Sequence, residues 1–455
     1  MTILPPKPPS RPGKVSLWRY GKLFREDLLS AQPERLYRAW MAEFRTPFFR
    51  SFLCNEPQLV DLVLRDRPDD FPKSNRIREG LAPLLGNSVF VTNGETWKRQ
   101  RRIIDPAFEG GRLKQVFPAM WQAGMSAVTR LGALAGEAPV EIEEHTSHAA
   151  ADVIFRTLFS IPIEHDVAGQ VFAKFREHQR AQPVLNLGAL LPLPKWFPRF
   201  HSRETKRTAG EIRALITQLT AARMAEIEAG TAPDDLATKI MTTEDPETGA
   251  RFDTEEMVDQ VAIFFLAGHE TSASALAWAL YLLAMYPECQ ERLAEEAQGA
   301  IDPTDPAFST VSKLRLSKDV FRETLRLYPP VPMMVREAAC PETFRDREVP
   351  KGSQIVLSPW HLHRHERLWE RPDEFDPGRF KTENGRKCLR EAYIPFSAGQ
   401  RVCTGAGFAM VEGPLILSLL VRAYRFELAP ERPAMPVAHL TVRGKDGIWL
   451  KISKR

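Results

Sequence analysis

The chain has 455 residues, of which 43% are hydrophobic and 26% charged, the proportions of a folded protein rather than a disordered one. Its 62 basic and 58 acidic residues leave a formal net charge of only +4, so it lacks the basic excess of a dedicated nucleic-acid-binding protein. Its five cysteines form no CxxC pair, which argues against a disulfide framework or a zinc ribbon and favours a reducing compartment.

The sequence predicts no membrane anchor, because no apolar run approaches the roughly 18 residues needed to cross a bilayer. Residues 1–13 are rich in proline and read as an extended lead-in rather than a signal peptide. We expect a cytoplasmic, monomeric protein in which residues 1–455 form a single domain.

The first third of the chain mixes helix and strand signals. Helical spacing predicts a helix over Leu28–Arg45, the apolar run Pro47–Leu53 predicts a strand, and a short helix should follow Pro57. The segment Asp66–Thr92 is rich in proline, glycine and asparagine, and we expect a long loop there.

The middle of the chain is predicted to be helical. The predicted helices are Glu95–Ile104, Leu113–Ala135, Ala149–Leu158, His165–Gln182 and Ser202–Glu228. A longer helix should begin at a cap formed by Asp253 or Thr254 and end before Pro287, spanning roughly 48 Å. Beyond it we expect a strand at Gln354–Leu357, a helix at Gly405–Tyr424 and a hairpin over Leu440–Ile452.

A cysteine directly before the predicted helix at Gly405 is the first candidate for chemistry. A helix N-terminus favours the thiolate of Cys403, and Phe396 is placed to shield it from water. Gly399 and Gly405 would let the backbone approach a bulky, flat group, and Arg401 could pair with an anion. Taken alone, the cysteine would more often be an inert buried side chain.

The whole segment FSAGQRVCTG, from Phe396 to Gly405, resembles the haem-binding signature F-x-x-G-x-R-x-C-x-G of the cytochrome P450 family. The resemblance implies a mainly α fold with small β-sheets, arranged as a helical prism with a β-rich N-terminal lobe. It also implies that Cys403 is the axial ligand of the iron in haem b, and that the protein is a haem-thiolate monooxygenase.

Other segments resemble further P450 motifs in the family's order. Trp97 and Arg101 match W-x-x-x-R and share a helix face, and the resemblance implies that both donate to a haem propionate. It implies the same propionate role for Arg401 and for Arg336.

A motif with a structural role lies between Arg101 and Arg336 along the sequence. Glu323 and Arg326 resemble the family's Glu-x-x-Arg pair, which a third residue closes; here that residue is Arg379. The segment around Arg379 departs from the family at Gly378, where glutamate is usual. The resemblance implies a buried group that supports the cysteine side of the haem.

The middle of the long helix reads AGHETS and resembles the family's oxygen-activation motif. Thr271 can bond back to the carbonyl group of Ala267, and Gly268 weakens the same turn. The resemblance implies that Thr271 and Glu270 supply protons during oxygen activation. The apolar residues expected to line the substrate pocket are Leu84, Leu85, Phe264, Ala267, Val331, Met333 and Leu440.

The resemblance implies electrons that come ultimately from NAD(P)H. No flavin or nicotinamide domain, and so no fused reductase, is recognisable, so we expect a separate partner protein to deliver them. We expect an acidic ferredoxin or flavodoxin to dock on a basic face formed by Lys98, Arg102 and Lys387. The substrate should be a small apolar organic molecule. Two alternatives stay open: a peroxygenase or isomerase of the same fold, or a haem protein that carries electrons or senses gas.

Overall fold

The computed structural model describes residues 3–11, 13–46, 49–109, 111–181 and 201–455. In these described parts of the chain helices dominate and four small sheets lie among them, so the predicted mainly α fold is confirmed. Gln182, the last residue of one predicted helix, and residues 47 and 48 of the predicted strand lie outside the described residues.

The N-terminal lobe contains the largest sheet. Its elements are α1 (Leu17–Glu26), β1 (Met41–Arg45), β2 (Arg50–Cys54) and α2 (Pro57–Asp61), followed by α3 (Asn75–Leu85). β1 and β2 are antiparallel neighbours. β2 also pairs in parallel with β7 (Gln354–Leu357), which pairs on its other side with β4 (Met334–Glu337). Strands from distant parts of the chain therefore build one four-stranded sheet.

Two predictions for this lobe are wrong. The predicted helix Leu28–Arg45 is broken, because Pro33 precedes a short 3₁₀ helix and residues from Met41 onward pair as a strand. The predicted loop Asp66–Thr92 contains α3, whose start is capped by Ser74. The glycine and proline within α3 weaken its helical signal in the sequence.

The predicted middle helices are confirmed within a few residues, apart from the third, Ala149–Leu158, which starts earlier, at Ile142. The helices and the strand in this part are α4 (Gly94–Ile104), α5 (Arg112–Gly132), β3 (Gly136–Glu141), α6 (Ile142–Phe159), α7 (Asp166–Ala181), α8 (Arg203–Glu228) and α9 (Leu236–Thr242). They surround α10 (Thr254–Met285), the predicted long helix, which packs against α3, α6 and α8. Asp253 and Glu256 form a reciprocal capping box at the start of α10.

The last third closes the body around α10. Its helices are α11 (Pro287–Ala300), α12 (Thr310–Lys313), α13 (Arg315–Leu327), α14 (Pro359–Leu362), α15 (Glu383–Glu391) and α16 (Ala406–Ala423). Its remaining strands are β5 (Glu342–Phe344), β6 (Arg347–Val349), β8 (Tyr424–Leu428), β9 (Pro436–Ala438), β10 (Val442–Gly444) and β11 (Trp449–Lys454). The predicted hairpin over Leu440–Ile452 is wrong, because β10 pairs with β9 whereas β11 pairs with β3 and β8.

By length and composition, α16 is apolar enough to cross a membrane, contrary to the sequence-based estimate. In the fold, 67% of the apolar stretch Ala406–Ala423 is buried, and it packs against α5, α11 and α13. It is therefore a core helix, and it begins three residues after Cys403.

Candidate functional site

The cysteine loop is shaped by backbone geometry that few residues tolerate. Ser397 and Gly399 both have positive φ angles, of 64° and 66°. A Cβ atom added to Gly399 would lie 1.8 Å from the carbonyl oxygen of Leu64. Glycine is therefore needed at position 399 because the backbone of Leu64 lies against it. The sequence had suggested another reason, the close approach of a ligand. The loop is closed by the Cys403 amide, which donates to the Phe396 carbonyl group at 2.9 Å.

Cys403 is surrounded by protein atoms, yet its side chain keeps solvent-accessible surface. Burial raises the pKa of the Cys403 thiol, and the Gly405 amide, Arg101 and Lys73 offset this only in part. The sequence suggested that the helix N-terminus favours the thiolate of Cys403. In the fold, the helix N-terminus does not by itself outweigh the effect of burial. Binding a metal ion would supply the missing stabilisation, because a coordinated thiol loses its proton.

Arg401 lies over the Trp97 ring, with 4.1 Å between the guanidinium carbon and the ring centroid. It donates to the carbonyl group of Thr92 at 2.9 Å and to the side chain of Asn93 at 2.8 Å. Burial, together with the positive charges of Arg336 and Arg101, lowers the pKa of Arg401 to about 9. Arg401 is therefore a desolvated cation that lacks an anionic partner in the described residues.

Two more cations lie in the same region. Arg336 on β4 is 5% exposed, and burial lowers its pKa to about 10. Lys73 forms a β-bridge with Arg336 and donates to the Phe90 carbonyl group at 2.5 Å. Burial, together with the charges of Arg336 and Arg401, holds the pKa of Lys73 well below its usual value. The sequence did not single out Lys73, because only the fold brings it to this cluster.

Trp97 and Arg101 are brought together as their spacing on α4 predicted. Trp97 is buried, and the guanidinium groups of Arg401 and Arg101 both lie over its ring. Arg101 donates to the Val402 carbonyl group at 2.8 Å and pairs with Asp105 at 2.9 Å. The Trp97 ring is thus a platform for two guanidinium groups beside the cysteine loop.

These residues fit an iron porphyrin with two carboxylates. Among the residues that the structure describes, no carboxylate pairs with Lys73, Arg336 or Arg401, although all three are desolvated. A buried cation without a counter-charge is costly, so the cluster is suited to an anionic ligand. The accessible thiol of Cys403 supplies an iron ligand beside it.

The predicted ionic group is closed and fully buried. Glu323 accepts two hydrogen bonds from Arg326, both at 2.8 Å, and one from Arg379 at 2.9 Å. The remaining guanidinium N–H groups donate to backbone carbonyl groups that include His363 and Glu374. The two arginines thereby fix the chain that leads toward the cysteine loop.

The oxygen-motif residues of α10 point in different directions. Thr271 donates to the Ala267 carbonyl group at 2.6 Å, as predicted, but α10 remains helical throughout. Ala267 is exposed, whereas Leu266 before it is buried and Gly268 after it is half-buried. Gly268 packs against Ile154, which a Cβ atom would approach to 2.4 Å. The carboxylate of Glu270 is bound by Arg443 at 2.5 Å, a partner that the sequence did not suggest.

The predicted pocket residues divide into two groups. Ala267 is exposed and Phe264, Val331 and Met333 are half-buried, as expected for the wall of an opening. Leu440 is 42% exposed, between β9 and β10. The prediction is wrong for two residues of α3, Leu84 and Leu85, whose side chains are 1% and 0% exposed because they pack into the main core.

Two of the three cations of the predicted basic face are in ion pairs. Lys98 pairs with Glu95 at 2.9 Å. Arg102 does not project outward as an open cation, because it pairs with the buried carboxylate of Asp245 at 2.5 Å. Lys387 on α15 is exposed, and no carboxylate in the described part of the chain pairs with it.

The comparisons with known proteins agree with this geometry. The family profile described as Cytochrome P450 matches residues 30–451. Cytochrome P450 4X1 of Homo sapiens is 29% identical over 449 residues, covering 94% of this chain and 86% of the relative. Cytochrome P450 4A10 of Rattus norvegicus is 31% identical, covering 88% of this chain and 80% of the relative.

A bacterial relative has a name that states its reaction. The cyclooctat-9-en-7-ol 5-monooxygenase of Streptomyces melanosporofaciens is 30% identical over 397 residues, covering 86% of this chain and 83% of the relative. The chain therefore belongs to the cytochrome P450 family. It is an oxidoreductase of the monooxygenase type, and the prosthetic group of that family is haem b.

Proposed function

We propose that the protein inserts one oxygen atom from O₂ into a small apolar organic substrate, using two electrons from a separate redox partner. In the balanced reaction, substrate, O₂, two electrons and two protons give the hydroxylated product and water. The observation that carries the proposal is an accessible cysteine beside a cluster of desolvated cations. Bound there, haem supplies the reductive cleavage of dioxygen that thiolate ligation favours.

In this proposal the protein holds the haem by two kinds of contact. Cys403 would ligate the haem iron, with Phe396 and Gly405 beside it. Arg101, Arg336 and Arg401 would bind the propionates, and we add Lys73 because its ammonium group lies in the same desolvated cluster. Trp97 acts through the guanidinium groups that lie on its ring.

Cys403 and Ala267 both keep accessible surface, and we propose that the two surfaces face one cavity. Thr271 holds a hydroxyl group at its wall, and Glu270 exchanges protons with solvent. Phe264, Val331 and Met333 are half-buried and apolar, which suits an apolar substrate and the exclusion of water.

We further propose a cytoplasmic protein that receives electrons, ultimately from NAD(P)H, through an acidic ferredoxin or flavodoxin. The supporting observation is the exposed, basic surface of α15, where Arg386, Lys387 and Arg390 follow one another within five residues. Opposite charge would steer such a partner to this face.

The test is turnover of the haem-loaded protein under ¹⁸O₂ with NADPH, a plant-type ferredoxin and its reductase. The probes are cyclooctat-9-en-7-ol, from the name of the bacterial relative, and dodecanoic acid, as a small molecule with an unbranched apolar chain. The proposal predicts a product with one labelled oxygen atom. Product formed only with added peroxide would indicate a peroxygenase, and haem reduction without any product would indicate an electron carrier or a sensor.

A further inference from the structure

The helix α1 has an inner face that holds it against the N-terminal lobe. Tyr20 and Phe24 lie one turn apart on this face, with 5.7 Å between their ring centroids. The Tyr20 ring also stacks on Phe44 of β1, with 6.3 Å between the centroids. Just after α1, the amide of Leu28 donates to the carbonyl group of Ala438 on β9 at 3.0 Å. The opposite face of α1 is therefore turned outward.

The outer face of α1 carries a tryptophan. Trp18 is 87% exposed, the largest exposed fraction among the large apolar side chains of the described residues. Because consecutive helical residues are 100° apart, Trp18, Lys22 and Arg25 lie within an arc of about 60°, opposite Tyr20 and Phe24. A single exposed apolar side chain needs no explanation by itself, so the argument depends on the charges around it.

Four cations accompany Trp18. They are Lys14, Arg19, Lys22 and Arg25, and all four are exposed. No carboxylate in the described part of the chain forms an ion pair with any of them, and the first turn of α1 contains no acid. The segment 14–25 thus carries a local charge as large as the net charge of +4 on the whole chain.

The acids that follow these cations do little to neutralise them. Asp27 is 8% exposed, and its carboxylate accepts from the amides of Leu29 at 3.0 Å and Ala438 at 2.9 Å. It is therefore turned into the fold. Glu26, the last residue of α1, is the one exposed carboxylate among residues 14–27 that the structure describes. The outer face of α1 is consequently a basic surface with an indole ring in it.

We propose that α1 docks the protein reversibly on a membrane surface that carries anionic phospholipids. The cations lie against the lipid phosphates, and the Trp18 ring enters the headgroup layer, where aromatic rings with a polar edge are favoured. A basic helix with an apolar side chain on its exposed face binds in this way without crossing the bilayer. The inference does not depend on the proposed reaction, because no residue of α1 belongs to the cysteine loop or the cation cluster beside it.

The composition of the outer face favours lipid over a protein partner. Protein interfaces surround an apolar core with a polar rim and are depleted in lysine. The exposed side chains of α1 are Trp18, Arg19, Lys22, Arg25 and Glu26, so one indole ring has only charged side chains beside it. An array of lipid phosphates accommodates flexible cations in many arrangements, whereas a protein surface would have to match each cation with a carboxylate.

The test is binding of the haem-loaded full chain to vesicles, without substrate or redox partner. The vesicles contain either phosphatidylcholine alone or phosphatidylcholine and phosphatidylglycerol in equal parts, and the fraction of protein that sediments with them is measured. The protein should sediment with the anionic vesicles and not with the neutral ones, and high salt should release it. No binding to the anionic vesicles, or equal binding to both kinds, would overturn the inference.

Variants of α1 locate the binding surface. Lys22→Gln/Arg25→Gln should weaken binding to anionic vesicles about thirtyfold, because each cation near such a surface contributes a factor of about five. The matched control is Lys313→Gln/Arg315→Gln, which removes two exposed cations on α12 and α13 and should bind like the wild type. Equal binding by the α1 variant and the wild type would place the surface elsewhere and overturn the inference.

Variants of Trp18 test the apolar part of the contact. Trp18→Ala should weaken binding about tenfold, whereas Leu134→Ala, at a side chain that is 39% exposed, should not. Trp18→Phe keeps an apolar ring, so it should retain most of the binding but lose part of the fluorescence quenching that brominated phosphatidylcholine causes in the wild type. Unchanged quenching in Trp18→Phe would show that Trp18 does not enter the lipid, and would overturn the inference.

The alternative occupant, an acidic redox protein, gives a different result. If the α1 variants slowed reduction of the haem by a plant-type ferredoxin but bound anionic vesicles like the wild type, α1 would be a protein docking surface and the inference would be wrong. The proposal predicts the reverse: weaker binding to vesicles, and reduction by ferredoxin at the wild-type rate in the absence of vesicles.

Discussion

The carboxyl group of Glu412 on α16 is hydrogen-bonded to the hydroxyl group of Ser272 on α10, at 3.1 Å. Glu412 is 1% exposed, and its second oxygen has no hydrogen-bond partner in the described part of the chain. Ser272 directly follows Thr271, and α16 begins just after Cys403. An acid therefore joins the helix of the oxygen motif to the helix of the cysteine loop.

Glu412 should make the protein less stable as pH rises. Burial raises the pKa of Glu412 to about 8 in the folded protein, so between about pH 4.5 and pH 8 the folded state keeps a proton that the unfolded state loses. Stability should fall by about 1.4 kcal/mol per pH unit in this window. Glu412→Gln should flatten the pH dependence of the unfolding temperature, and Glu383→Gln, on the exposed start of α15, should not. Equal slopes for Glu412→Gln and the wild type would contradict the prediction.

The ionic group around Glu323 should contribute far more to the free energy of unfolding than an ion pair on the surface does. Arg379→Met leaves part of a fully buried carboxylate unpaired, and we expect a loss of about 3–5 kcal/mol in the free energy of unfolding. Arg371 makes a comparable pair with Glu374, but its side chain is 60% exposed. Arg371→Met should therefore cost less than about 1 kcal/mol in denaturant unfolding. Similar losses of unfolding free energy in the two variants would show that the buried ionic group stabilises the fold no more than the exposed pair.

Lys73 should have opposite effects on the protein with and without haem. Lys73→Met removes a desolvated cation, so the haem-free protein should become more stable. The same change removes a charge-assisted hydrogen bond to a propionate, so transfer of haem to an excess of acceptor protein should be about tenfold faster. Lys22→Met, on the exposed side of α1, is the control and should change neither quantity. Wild-type haem retention in Lys73→Met would remove Lys73 from the site.

The sequence predicted the parts of the site that are encoded by local spacing. Trp97 and Arg101 are one helical turn apart, Thr271 bonds to the residue four positions before it, and Glu323 and Arg326 share a turn of α13. Each of these relations follows from helix geometry alone.

The parts that the sequence missed depend on contacts between distant segments. Lys73 reaches the cation cluster through a bridge to Arg336, and Arg443 reaches Glu270 from 173 positions along the chain. The apolar character of Leu84 suited a pocket wall equally well, and only packing assigns it to the core. Hydrophobicity and spacing do not contain this tertiary information.

Electron transfer should depend on α15 more than on α4. Lys387 and Arg390 are exposed and make no ion pair within the described residues, whereas Lys98 and Arg102 on α4 pair with carboxylates. Lys387→Glu/Arg390→Glu should therefore slow reduction by a plant-type ferredoxin about tenfold at low salt, and less at high salt. Stopped-flow reduction of the haem measures the rate, with Lys98→Gln as the comparison. A larger effect of Lys98→Gln would place the docking face on α4.

The ligand role of Cys403 is the central claim, and the absorption spectrum of the reduced protein with carbon monoxide tests it most directly. The wild-type protein should show the red-shifted band that is typical of a thiolate-ligated haem, and Cys403→Ser should lose that band. The control is Cys289→Ser, because Cys289 lies on α11 and burial raises its pKa to about 11, which makes it an inert thiol. The account predicts that the control keeps the band. Retention of the band in Cys403→Ser, or its loss in Cys289→Ser, would contradict the assignment.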